Sequence, residues 1–215
     1  MTSTDALIDR LVTAAPPVRR LRSPLVRAAG YLAVATAIIA ALIAWQGIRA
    51  DLLLRLTQPA VFLSLGGAIA TGVLAAWSAA ALSVPGRSRL WLLLPLPTLI
   101  IWLASVGRGC LANWITLGAG QVQRAEVIDC ALSLALAALP LTGAMLGLLR
   151  RAAPIRLGPA VFAGGLAAAG LTSAAMILLH QHDASVMVLI WNVGTLVLVV
   201  LLQLALARAT PLRVG

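Results

Sequence analysis

Two cysteines, two histidines and six carboxylates hold most of the reactive chemistry in this sequence of 215 residues. Cys110 stands in "GRGCLANW" and Cys130 in "EVIDCALS". An apolar run ends just before the first and another starts at the second, which predicts that both thiols sit at one membrane boundary. Joined, they would close a loop of about 20 residues and stabilise it by roughly 3 kcal/mol in the chain-entropy model. A redox- or metal-responsive pair is the other reading. Arg108, two residues before Cys110, favours its thiolate, whereas Asp129 adjoins Cys130 and opposes it. Cys110 is therefore the better attacking thiol. In "LLHQHDASV", His180, His182 and Asp183 fall in a short turn. Imidazole, thiolate and carboxylate are transition-metal ligand types, so the turn is a weak metal candidate, and a solvated polar turn is the plainer reading.

Catalytic patterns are missing from the sequence. There is no HExxH, phosphate-binding loop, glycine fingerprint or supported Ser/His/Asp order, and no CxxC for thiol exchange. The six acids divide between the N-terminal head and the loops, which leaves no general acid/base pair. The expectation is a protein that is not an enzyme and needs no cofactor.

The elements that must position these residues are hydrophobic. With 61% apolar and 10% charged residues, the chain has too few polar groups to cover a water-soluble surface. Its apolar runs of about 18 to 23 residues suit helices crossing a hydrocarbon core of roughly 30 Å. The predicted fold is an all-α membrane protein, a six-transmembrane-helix bundle with a short cytosolic N-terminal helical segment. Residues 1–27 form that segment, 28–207 the membrane domain and 208–215 a cytosolic tail. The spans are expected near 28–48, 60–84, 90–107, 130–149, 158–179 and 186–207. Pro95, Pro97 and Pro140 should kink the third and fourth. Gly66-xxx-Ala70, Gly143-xxx-Gly147 and "GGLAAAG" from Gly164 offer close helix approach. Trp45, Trp91, Trp102 and Trp191 read as interfacial anchors. "RADLLLRLTQPA" from Arg49 suits a short interfacial helix, with Asp51 and Arg55 at i and i+4.

Charge orients the bundle. All 16 basic residues are arginines. In a six-span topology, Arg10, Arg19, Arg20, Arg22, Arg27, Arg87, Arg89, Arg150, Arg151, Arg156, Arg208 and Arg213 share one side. Only Arg49, Arg55, Arg108 and Arg124 face the other, where Asp51, Glu126, Asp129 and Asp183 offset them. The positive-inside rule then puts both termini in the cytoplasm of a bacterial inner (cytoplasmic) membrane and the Cys/His groups at the periplasmic face. Because the arginines cluster beside apolar spans, the charge of +10 points to anionic lipid headgroups and not to nucleic acid.

The head, "TDALIDRLVTAAPPVRRLRSP", stands apart from the rest of the chain. Thr4 can cap a helix with Asp5 in its first turn, and Pro16 and Pro17 end it. Leu7, Ile8 and Leu11 fall on one stripe. A helix this short is marginal alone and its stripe needs a second surface, either the bilayer or a partner's groove. Asp5 and Asp9 suit an anionic leaflet poorly, which favours a partner.

The head, "SVPGRSR" after the second span, "GCLANW" after the third, and "LHQHD" followed by "VLIWN" resemble the NrsF-type anti-sigma factors. These are six-span inner-membrane proteins that restrain an extracytoplasmic-function sigma factor. The resemblance implies a transmembrane negative regulator of transcription. Its cytosolic head would sequester the sigma factor and release it on a periplasmic signal, such as an oxidant or heavy metal, as part of a stress response. It implies that Leu7, Ile8 and Leu11 are buried in the partner while Asp5, Arg19, Arg20 and Arg22 orient it. Cys110, Cys130 and the turn His180, His182, Asp183 would do the sensing. The sequence departs from the family pattern at Gln181 and Asn192, where the pattern has cysteine and histidine. A small metal or solute membrane transport protein is the alternative reading of the same residues.

Overall fold

The computed structural model describes residues 4–14, 22–117, 124–152 and 157–179, and single positions of the last apolar run, namely Gly194, Val197, Leu198, Leu201 and Ala205. For Asp5, 109–117, 124–131 and Leu157 only the backbone is described. The helices are α1 (Thr4–Ala14), α2 (Pro24–Gln46), α3 (Leu52–Leu56), α4 (Pro59–Leu82), α5 (Leu96–Leu117), α6 (Arg124–Arg150) and α7 (Leu157–Leu179), with a 3-10 helix at Arg89–Leu93. No strand occurs among the described residues. Five segments are long and apolar enough to span a membrane: Pro24–Gln46, Pro59–Leu82, Arg89–Arg108, Leu132–Arg150 and Gly158–Leu179. The sixth expected span, 186–207, lies largely outside the described residues. Its five described positions are helical.

Local chemistry sets the helix ends. Ser23 caps α2 by accepting from the Val26 amide, and Pro24 opens the helix, where its missing N–H is not needed. Gly47 closes it at φ 83°, a left-handed conformation that glycine adopts without strain, and its N–H donates to the Ile43 carbonyl. Pro59 likewise opens α4. Around Pro95 and Pro97 the expected third span is broken and not merely kinked. A 3-10 helix capped by Ser88 stops at Leu93, and α5 starts at Leu96. Past Arg108, α5 continues to Leu117, so "GRGCLANW" is helical and the helix runs beyond the expected end at 107. Pro140 lies inside α6, which runs through it.

The packing is inverted relative to a water-soluble bundle. The interior of α4 is built from small residues, Gly67, Ala68, Thr71, Gly72, Ala75 and Ala79 among them, while Phe62, Leu63 and Ile69 face outward. Ile100 and Ile101 of α5 and Leu136 and Leu139 of α6 also face outward. Small interior residues under a large apolar exterior are what lipid-surrounded helices require, since close van der Waals contact replaces the hydrophobic drive. The most extensive contact joins α4 to α7. There, a Cβ on Gly170 would stand 2.8 Å from the Ala68 carbonyl oxygen and 3.0 Å from the Gly72 nitrogen, so these backbones touch. Of the three small-residue motifs, "GGLAAAG" alone makes such a crossing among the described residues. Among the described residues, Gly66, Gly143 and Gly147 have nothing within 4 Å of where a Cβ would be, and the close approaches fall on Gly67, Gly72 and Gly170.

Trp102 also departs from expectation. It is 1% exposed, packed with Ala68, Val106 and Ala174, and is no interfacial anchor. Gly67 is the cause, because a Cβ there would come within 3.0 Å of the Trp102 Cβ. Trp45, by contrast, is exposed at the end of α2, and Trp191 lies outside the described residues.

Candidate functional site

Successive spans alternate in direction, and two contacts fix their ends. At one end, the Arg49 amide donates to the Leu178 carbonyl at 3.2 Å, which joins the segment after α2 to the last turn of α7. At the other end, Leu82 of α4 and Pro159 of α7 line one cavity. This second end carries Arg22, Arg27, Arg87, Arg89, Arg150 and Arg151, and α1 precedes it in the chain.

The head forms the expected helix, α1, which includes Thr4 as its first residue. Leu7, Ile8 and Leu11 are 60%, 50% and 63% exposed, and Val12, which sequence reasoning left out, extends their stripe at 69%. A stripe so exposed covers none of the described residues. The Thr13 hydroxyl donates to the Asp9 carbonyl at 2.7 Å within the last turns. Arg22 is exposed just before α2, while Arg19, Arg20, Pro16 and Pro17 lie outside the described residues.

On the interior stripe of α2, Arg27 is 8% exposed, and neither of its terminal guanidinium nitrogens has a partner among the described residues. The expected span began at residue 28, which left Arg27 outside the bundle. Because α2 starts at Pro24, Arg27 instead lies one turn from the buried Tyr31. A desolvated, unpaired guanidinium is costly, and only its place near the end of the span makes it tolerable. The sequence signal was the spacing of Arg27, Tyr31 and Ala35, each four residues apart on one face.

At the opposite end, Asp51 bridges two arginines. Arg49 Nε donates to Asp51 Oδ1 at 2.5 Å and its Nη2 to Oδ2 at 3.2 Å, while Arg55 Nε donates to Oδ2 at 3.0 Å. The hydrogen bond from Arg49, then that from Arg55 and the Arg49 charge, hold the Asp51 carboxyl down at about 2. Asp51 is also the residue before α3, the short helix expected from "RADLLLRLTQPA". Arg49 itself is 8% exposed, and its amide is the group that meets Leu178 of α7.

The side chains of the sensing candidates lie outside the described residues. Cys110 lies in the backbone of α5 and Cys130 in that of α6. The extensive contacts of α5 are with α4, and those of α6 are with α7 and α2. His180, His182 and Asp183 lie outside the described residues, directly after the end of α7 at Leu179. No group of three His, Cys, Asp or Glu suited to a metal ion occurs among the described residues.

An all-α bundle with a lipid-type exterior and an uncovered amphipathic head is the architecture of a polytopic membrane protein. The family model described as NrsF, negative regulator of sigma F, matches residues 11–211. The chain belongs to this family, and its class is that of negative regulators of a sigma factor. The match starts at Leu11, so Asp5, Leu7 and Ile8 precede it. No curated protein and no solved structure matches the chain.

Proposed function

We propose that the chain is a transmembrane anti-sigma factor that holds an extracytoplasmic-function sigma factor on α1 and releases it in response to a periplasmic signal. The uncovered stripe of Leu7, Ile8, Leu11 and Val12 on a helix outside the bundle carries this reading. An amphipathic helix of this kind docks its apolar side in a groove of its partner. Asp5, Arg19, Arg20 and Arg22 set orientation and encounter rate around it. The bias of arginines supports a bacterial inner (cytoplasmic) membrane with both termini cytoplasmic, so that α1 meets the sigma factor before RNA polymerase does.

The signal enters at the other end. Cys110 and Cys130 respond to oxidants or heavy metals, with the turn at His180, His182 and Asp183 contributing ligands. Support comes from their ligand chemistry and from the tie between Arg49 and Leu178, which links the segment after α2 to the approach of that turn. The signal must favour the releasing arrangement by several kcal/mol, about 5.5 kcal/mol for a shift from 1:99 to 99:1. Binding and release suffice for this role, so no catalysis and no cofactor enter it.

The test is purification of the full-length protein from its own host, with identification of bound proteins by mass spectrometry. A sigma factor is the expected partner, lost on L7S/I8S/L11S substitution. Uptake or export of a metal or solute that survives deletion of residues 1–27, with no sigma factor bound, would establish a transport protein instead.

A further inference from the structure

The turn "SVPGRSR" between α4 and the 3-10 helix borders a cavity of about 260 Å³. Arg87 and Arg89 line it together with the apolar Leu82, Val84, Pro85 and Pro159. Gly86, at φ 82°, reverses the chain immediately before Arg87. The Arg87 guanidinium lies over the Trp91 ring, 5.8 Å from its centroid. Trp91 is itself braced by Trp77, with ring centroids 5.8 Å apart, and by a hydrogen bond from the Ser78 hydroxyl to its carbonyl. Ser88 accepts from the Leu90 amide at 3.2 Å and so fixes the backbone from which Arg89 leaves. Arg87 is thus held at the cavity by a cation–π contact, and Arg89 is placed there by the backbone that leads into it.

Neither arginine has an ion pair among the described residues, and the chain contains no Asp or Glu from residue 52 to 125 or from 130 to 182. Two exposed guanidinium groups at a largely apolar cavity, with no acid near them in sequence, suit an anion from outside the chain. The depth of the site selects its kind. The apolar length of α4 ends at Leu82, and Leu90 and Leu93, beside Arg89, are 70% and 54% exposed. Apolar surface and cations meet here as acyl chains and phosphates meet at a headgroup. Pro159, in the first turn of the 23-residue α7, closes the apolar side of the cavity.

We infer that this cavity binds the phosphate headgroup of an anionic phospholipid, with Arg87 and Arg89 as its ligands. The lipid pins the turn after α4 at the arginine-rich face, independently of whatever α1 holds.

The test titrates the detergent-purified, delipidated full-length protein with dioleoylphosphatidylglycerol, dioleoylphosphatidylcholine or inorganic phosphate, and reads occupancy by native mass spectrometry. Phosphatidylglycerol should be retained at a concentration at least about tenfold lower than phosphatidylcholine, because each guanidinium near an anionic headgroup is worth about fivefold. R89Q should weaken retention about fivefold, and R87Q/R89Q should erase the preference. R150Q/R151Q, the same charge change at the same end but outside the cavity, should leave it intact. Arg89 is exposed, so R89Q is the milder change and reports even where the double variant misfolds. Equal retention of the two lipids, or equal losses from both arginine pairs, would overturn the site. Displacement of the lipid by millimolar phosphate would make a free anion the ligand. If R87Q/R89Q weakens capture of a sigma factor and spares the lipid preference, the pair serves the protein partner and the inference fails.

Discussion

Asp51 shows how a single residue ties the outer elements together. Two arginines on either side of it hold its carboxyl at about 2, below its ordinary value of 3.8. A depressed carboxylate contributes stability that is complete above the unfolded value and is lost as pH falls through the folded one. Thermal melts of the full-length protein should therefore lose stability between about pH 4 and pH 2 through this group. D51N should be less stable at pH 7 and should lack that acid-dependent increment, and an unchanged acid limb would remove Asp51 from this role. The cysteines call for a different comparison. The expectation that Cys110 is the better attacking thiol predicts that C110S blunts an oxidant-driven release of the sigma factor more than C130S. Equal reactivity of both thiols toward a maleimide probe would count against the asymmetry. At this scale the reactive types were plain in the sequence, but Arg27 and Trp102 were not. Their burial depends on where α2 begins and on the space left by Gly67 on a neighbouring helix, and neither is written near the residue itself.

Among the elements, the long helices were legible because each is an apolar run closed by arginine, proline or glycine. Which side of each helix faces inward was much less so. On a membrane helix every side is apolar, so the periodic polar stripe that orients a soluble helix is missing and only residue size distinguishes the faces. The small-residue reading was one position off on α4, at Gly66 instead of Gly67, and fell on open sides of α6 at Gly143 and Gly147. Where α4 crosses α7, G170A would push a methyl into the Ala68 carbonyl, a backbone atom that cannot step aside. Overpacking of this kind costs about 1–3 kcal/mol. The melting temperature in detergent should fall accordingly, while G143A should leave it unchanged or slightly raised through helix propensity. Equal effects of the two variants would mean that the crossing is not the tight contact described. The 3-10 helix and the break before α5 were only partly legible. Pro95 and Pro97 announced a disturbance, but the Ser88 cap that shapes it emerges only once the turn is folded.

For the whole molecule, the account rests on a division of labour. The bundle is a membrane-type body whose described helices pack through small residues, and α1 is a helix whose apolar stripe remains uncovered by that body. Membership in the NrsF family says that the protein restrains a sigma factor. The exposed stripe is the surface on which we propose that it does so. The most direct measurement is the affinity of the full-length protein, in detergent or nanodiscs, for the sigma factor copurified from its host, compared between wild type and L7S/I8S/L11S. Buried apolar anchors of this kind cost about 2 kcal/mol or more each when truncated. The account predicts a loss of at least 100-fold, that is about 2.7 kcal/mol, with the bundle's melting temperature unchanged. Undiminished binding by the triple variant would contradict it, and would move the sigma-factor contact from α1 to another surface.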